Sequence, residues 1–480
     1  MKLPLFARTG LTLATVLLLA GCASIAPDGM RGQVQTYAAR HLPEDAQLPG
    51  RDPEAQHQAR ERIAQWLTRP LDADQAVRIA LLNNPGLQSS LARLGVQDAQ
   101  RVQSLTLPNP TLTLGRFVNG HEREVERELG FGLIHLITLP WRARWQGLQI
   151  EQASLDTAQE VLRLAADTRR AWLRAVAAGQ QLQARQTMFE AAQAGAELAA
   201  RMTRTGNFSR LQQAREMGLE QEASAQLARA RLAAALERDQ LARLMGLWGA
   251  QLDFQLPAQL PAIPKNAAEL QAGDDAEATA LRQRLDLRAL RHDLDQRAQR
   301  QGWAAAGQLF GDIGLAYSRN TATEKASGHD EATRGWEIGL PLPLLDWGGA
   351  ARGRARAEVE HSAARLREAA LTARSEARNT WLRYRTAWDL AHQQQAEVLP
   401  LRRFMQEEAV LRYNGMFIST WELLAEARAS TQAVATATEA QRDFWLADTD
   451  LRLALAARSP AAPTPPVLSE ATSTITATSH

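Results

Sequence analysis

Two hydrophobic periods divide this chain. Four short stretches alternate large apolar residues with small or polar ones at every second position. Residues 123–140 set Val125, Leu129, Phe131, Leu133 and Ile137 against Glu126, Glu128, Gly130 and Gly132. Residues 308–319 set Leu309, Ile313, Leu315 and Tyr317 against Gln308, Asp312, Gly314, Ala316 and Ser318, and residues 334–342 set Trp336, Ile338, Leu340 and Leu342 against Gly335, Glu337 and Gly339. Residues 110–118 follow the pattern least clearly. Period two predicts strands with one apolar face, the arrangement of a sheet between lipid and water and equally of a half-buried sheet.

The longer stretches keep a three-four spacing instead. Between Trp141 and Arg204 two apolar series interleave: Leu155, Ala158, Leu162, Ala165, Trp172 and Val176, then Val161, Leu164, Ala171, Ala175, Ala178 and Leu182. Two coiled-coil seams on one helix require a neighbour on each flank, as in a wall of helices set side by side. About 60 residues at 1.5 Å each make a rod of roughly 90–100 Å. From Ala363 through Leu366, Ala373 and Ala377 to Ala391 the seam recurs, and Pro400 predicts a kink or break in that second rod.

The pattern occurs twice. Residues 77–103 read like residues 280–302, with Leu87 matching Leu287; Pro140 matches Pro341, and Gly206 matches Gly415. An offset near 200 residues indicates a duplicated domain, each copy running helix, two strands, very long helix, glycine-marked turn, long helix. The boundaries read as a leader (1–21), an irregular N-terminal strap (22–60), a first repeat (61–250), a linker (251–279), a second repeat (280–457) and a Pro/Thr/Ser-rich disordered tail (458–480).

Charge and composition narrow the function. A net charge of +2 from 55 basic and 53 acidic residues gives no reason to expect nucleic acid as a partner. Lys2 and Arg8 precede an apolar run from Leu11 to Ala20, the layout of a secretory signal, too short to span a bilayer. The chain's one cysteine, Cys22, follows in Leu19-Ala20-Gly21-Cys22, which resembles the lipobox of bacterial lipoproteins. That resemblance implies cleavage before Cys22, a covalent lipid on it as the only prosthetic group, and, with Ala23 next, sorting to the outer membrane. Acyl chains anchor through burial of their methylenes.

Four strands cannot close a barrel, and hydrocarbon does not tolerate open sheet edges. Several chains must then share one barrel. Three would supply twelve strands, continued by twelve long helices; two would reach the eight of the smallest barrels and leave almost no bore.

Further motifs resemble the TolC-like outer-membrane efflux proteins. Residues 71–87, LDADQAVRIALLNNPGL, look like that family's opening helix with its Asn-Pro step. Pro343, Asp346, Gly348 and Gly349 resemble its lead-in to the long helix, where the first copy reads LPWRARWQG instead; residues 241–261 are similar to its inter-repeat linker and residues 412–430 to its second hairpin tip. The resemblance covers about residues 60–457. It implies a mainly α fold with a membrane β-barrel portion, a homotrimer with a shared 12-stranded barrel above an α-helical tunnel, and a periplasmic adaptor and inner-membrane pump as partners. The duct would lie in the outer membrane and reach into the periplasm, passing drugs or metal ions without chemical change.

The same resemblance places the pore constriction at the hairpin tips. Glu422 and Glu426 lie one turn apart and would form acidic rings in a trimer; solvated helix-surface glutamates fit the spacing equally well. Tyr413 and Arg412 occupy the place of the family's closing hydrogen bonds. Gly206 and Gly415 mark the tip turns, where Phe208 and Phe417 pack or face a partner. The nine histidines stand singly, with His121 and His329 in expected strand loops and His135 in a strand, so no metal site is read, and no phosphate loop, GxSxG or HExxH points to catalysis. Trp336 is the candidate for an aromatic girdle. Two other readings share many features: a lipid-anchored adaptor or scaffold of helical hairpins, and the outer-membrane duct of a type I polypeptide secretion system.

Overall fold

The computed structural model describes residues 24–270, 273, 275–302, 313–324, 326–340 and 347–458. Cys22 and the leader, residues 308–312, Pro341, Pro343, Asp346 and the tail from Ser459 lie outside the described residues.

The first repeat begins with helix α3 (Ala73–Asn83), preceded by α1 (Arg31–Ala38) and α2 (Pro53–Trp66). Asp72 caps α3 through a reciprocal box with Gln75. Asn84 then ends α3 and caps α4 (Pro85–Leu105), its Oδ1 accepting from Leu87 N at 3.0 Å. Pro85 fits there because the first helical position needs no N–H. In the second repeat α7 (Ala276–Gln283) meets α8 (Leu285–Gln301) at the same offset of two hundred, with Arg284 in the place of Asn84. Leu87 and Leu287 are both buried.

The strands β1 (Thr111–Val118), β2 (Glu122–Gly132), β3 (Gly314–Glu324) and β4 (Asp330–Gly339) form one antiparallel sheet in the order β1-β2-β3-β4. The two hairpins therefore join through a β2–β3 pairing that crosses the repeats. Among the described residues, edges β1 and β4 each have one side without a strand partner.

From the sheet descend α5 (Leu133–Arg204) and α9 (Gly349–Gln393), and at the far end α6 (Arg210–Leu244) and α11 (Thr420–Ala456) turn back. Near the sheet the helices pack in the order α4, α5, α8, α9, the order of the strands they adjoin. Near the tips the order is α6, α5, α11, then α10 (Leu399–Asn414). Helix α5 is thus flanked on both sides, and its first seam, Leu155 through Val176, is buried throughout. The outer helices keep exposed leucines, among them Leu232 and Leu236 on α6 and Leu371, Leu382 and Leu401 on α9 and α10.

Three differences from the sequence reading have local causes. The second alternating stretch leaves the sheet at Gly132, and Leu133–Pro140 is the start of α5, so His135 and Ile137 are helical. A short apolar run fits either period, and Thr138 Oγ1 bonds back to the Ile134 carbonyl at 2.7 Å inside the helix. The second rod is not broken at Pro400: residues Gln394–Val398 form a π turn that widens the ladder just before the proline, which lies in the first turn of α10. The strap is partly helical, since α1 buries Val34 and Ala38 against α5.

Around the middle, the linker is clipped by indoles. Trp445 Nε1 donates to the Pro261 carbonyl at 2.9 Å and Trp388 Nε1 to that of Pro264 at 2.9 Å. Trp172 Nε1 donates to the Leu71 carbonyl at 2.8 Å, and Leu71 N donates to the Gln255 carbonyl at 3.0 Å. Each indole buries apolar surface and satisfies a carbonyl that has no ladder partner.

Candidate functional site

Three places hold the residues singled out above: the sheet, the hairpin tips and the start of the described chain. In the sheet, register fixes what shares a face, because partners across a ladder point the same way. Leu112, Leu129, Tyr317 and Trp336 form one row, and Phe131, Leu315 and Ile338 the next row towards the helices. Tyr317 and Trp336 touch, with ring centroids 5.1 Å apart, and Trp336 is 68% exposed. The opposite face carries Gly130, Ala316, Ser318 and Gly335, together with the four even-numbered glutamates from Glu122 to Glu128 and Glu324, Glu331 and Glu337. Apolar and small-residue faces thus fall as the alternation predicts on β2, β3 and β4, whereas on β1, the least regular stretch, Phe117 lies on the glutamate face beside Glu124. His121 and His329 lie in the two hairpin turns.

At the tips both turns close alike. Asn207 N donates to the Met202 carbonyl at 2.9 Å, and Phe417 N to that of Arg412 at 2.9 Å. The second helix of each hairpin then starts with a reciprocal cap, Ser209 with Gln212 and Ser419 with Glu422. The left-handed residue is Gly206 in the first turn (φ 78°) but Met416 in the second (φ 65°), one place beyond Gly415. Gly206 therefore corresponds to Met416, and Phe208 to Ile418. A Cβ on Gly415 would lie 2.8 Å from the exposed Phe417 ring, which would have to turn aside. Phe208 stacks on Trp421 at 4.8 Å and ties the hairpins together, whereas Met416 and Phe417 are 92% and 84% exposed.

The four constriction candidates are partly engaged. Glu422 Oε2 accepts from Ser419 N at 2.7 Å and Ser419 Oγ at 3.0 Å, hydrogen bonds that hold its carboxyl below the usual range. Glu426 lies 3.6 Å from Arg402 of α10. Thr420 Oγ1 meets Tyr413 Oη at 3.5 Å, and Arg412 is exposed beside it. The Ser-x-x-Glu spacing of Ser419 and Glu422 is that of a capping box, which the sequence reading did not take up, and no local pattern marks Arg402, which comes from the adjoining helix. Among the described residues no group of three metal-ligating side chains converges, and no helix is long and apolar enough to cross a membrane.

At the start of the described chain, buried Asp98 on α4 accepts from Ala26 N at 2.8 Å and from Arg101 Nε at 2.8 Å, while Arg101 Nη2 donates to the Ser24 carbonyl at 3.2 Å. These contacts hold residues 24–26 within two turns of the α4 end that leads into β1. The sequence reading missed this site, since Asp98 and Arg101 look like an ordinary surface pair.

No family model and no curated protein matches this chain. Solved structures do. The outer membrane channel CmeC of Campylobacter jejuni aligns at a TM-score of 0.66 and 15% identity over 80% of this chain and 85% of that one. The outer membrane channel MtrE of Neisseria gonorrhoeae, in its open state, aligns at 0.61 and 18% over 80% and 89%. CusC, described through its folding and transmembrane channel formation, aligns at 0.62 and 17% over 80% and 92%. The chain has the fold of these channels.

Proposed function

We propose that this protein is the outer-membrane exit duct of a tripartite efflux system, passing drugs or metal ions onward without chemical change. The observation that carries the reading is the sheet: four strands with unfilled edges at β1 and β4, one apolar face, one small and acidic face, and each strand adjoining a helix in the same lateral order. Three copies would close twelve strands around a bore lined by the small face. They would also cover the leucines left bare on α6, α9 and α10, since edge meets edge at both ends of the molecule. The acidic lining favours cationic cargo.

The tips, with Met416 and Phe417 exposed, suit a periplasmic adaptor that leads to an inner-membrane pump. A constriction formed there would draw on Arg412, Tyr413, Glu422 and Glu426. Covalent lipid on Cys22 fits the contacts of Ser24 and Ala26, which hold the start of the described chain on α4, within two turns of the end that leads into β1. An adaptor or scaffold would need a β domain between its hairpin arms, whereas this sheet lies at the end opposite the tips.

Conductance of the purified full-length protein in planar bilayers tests the proposal. Discrete channels are expected; a scaffold would leave the bilayer silent, and that outcome would end the reading.

A further inference from the structure

Of the charged residues on the four strands, all but Asp330 sort by sign between the two faces. All seven glutamates lie on the small-residue face, and all five arginines, Arg116, Arg123, Arg127, Arg319 and Arg334, lie on the apolar face. Three of the arginines form a row: Arg127 pairs with Arg319 and Arg319 with Arg334, directly opposite across the ladder. Like charges so placed oppose sheet formation unless an anion sits against them. All five are exposed, and among the described residues none is in an ion pair. Arg127 reaches only the Thr321 hydroxyl, at 3.4 Å. The one acid on that face, Asp330, lies in the last row before the turns and accepts from Thr323 at 2.6 Å.

The order of rows along the strands has a direction. From the helix end come Phe131, Leu315 and Ile338, then the Tyr317–Trp336 row, then the three arginines, with Arg116 and Arg123 beyond towards the hairpin turns. Hydrocarbon, aromatic girdle and charge follow one another in that sequence at a membrane surface. Successive rows on one face are about 7 Å apart along a strand, so the guanidinium groups stand just past the aromatic rings, where headgroup phosphates lie. Guanidinium pairs with phosphate through two parallel hydrogen bonds, and three side chains on neighbouring strands about 5 Å apart make a polydentate site for one multiply charged headgroup.

We infer that Arg127, Arg319 and Arg334 bind the phosphates of an acylated, phosphorylated glycolipid of the outer leaflet, with the Tyr317–Trp336 row and the apolar rows beneath taking its acyl chains. The inference rests on the duct reading, because it needs the apolar face outward and the hairpin turns on the far side from the helices. A glycolipid with several phosphates matches a row of three cations better than a glycerophospholipid with one.

The test uses full-length protein in detergent and native mass spectrometry with three probes: lipid A bearing both phosphates, the same lipid with its phosphates removed, and phosphatidylglycerol. The doubly phosphorylated lipid should bind at least roughly tenfold more tightly than the others, a gap that Arg127→Gln/Arg319→Gln/Arg334→Gln abolishes and Glu126→Gln/Glu128→Gln preserves. Equal binding of the dephosphorylated lipid, equal binding of phosphatidylglycerol, or binding undiminished in the triple variant would each overturn it. Conductance of the same preparations separates this from the duct proposal: the arginine variant should conduct as the parent does. A silent parent removes the duct itself, and a changed ion selectivity in the arginine variant would place the arginines in the bore and overturn the lipid site.

Discussion

Arg284 shows what a single residue can carry in this fold. It is 1% exposed, and its guanidinium donates to Asp286 at 2.8 and 3.0 Å, to Glu376 at 2.5 Å and to the Ala454 carbonyl at 3.3 Å. Burial disfavours its charge, but the Asp286 and Glu376 partners outweigh that and raise its pKa. Removing one member of such a buried set strands the other charges, so Arg284→Ala should cost about 3–5 kcal/mol, read from denaturant unfolding of the helical signal. A loss under about 1 kcal/mol, the size of an exposed pair, would show the network to be dispensable. Asp293 behaves differently. Burial pushes its carboxyl up, yet hydrogen bonds from Arg297 at 3.0 Å and Ser362 at 2.7 Å prevail and hold it below the usual value. A depressed folded pKa gives stability that is complete above about 3.9 and is lost as pH falls through the lowered value. The parent's thermal midpoint should therefore drop more steeply in that acid range than that of Asp293→Asn; parallel profiles would contradict the assignment. Neither residue was legible in the sequence. Arg284 stands where the first repeat has Asn84, and partners 2, 92 and 170 positions away leave no spacing to read.

Among the elements, seams and the register of the repeat were the legible part. The alternating three-four series of α5 is buried as spaced, and the recurrence of Leu87 at Leu287 gave the correct register for both helix pairs. Boundaries were harder, because Leu133–Pro140 satisfies both periods and the π turn before Pro400 depends on a ladder adjustment that composition does not encode. The tips show a finer slip: matching glycine to glycine misaligned the turns by one, since a methionine holds the left-handed position in the second. An L-residue pays about 1–2 kcal/mol there, so Met416→Gly should raise unfolding stability by about 1 kcal/mol. Unchanged or lower stability would mean that the exposed Met416 side chain makes a compensating contact. Strain retained at an exposed tip accords with the docking role proposed for Met416 and Phe417.

For the whole molecule, the sheet has two chemically opposed faces and two open edges, and both ends of the helical wall leave apolar seams uncovered. The alternation made the faces readable from sequence, but the sorting of glutamates from arginines became visible only once register tied the four strands together. If the acidic face lines the bore, reversal potentials across a salt gradient should show cation preference, and Glu126→Gln/Glu128→Gln should move them towards zero; an anion-selective parent would reverse the assignment of faces. Everything here depends on copies completing one another, so the decisive quantity is the number of chains in a particle. The mass of the full-length protein extracted in mild detergent should correspond to three chains, with its sheet protected from amide exchange at β1 and β4 as well as at β2 and β3. A particle of one chain that keeps the four-stranded sheet, with β1 and β4 exchanging freely, would contradict the account.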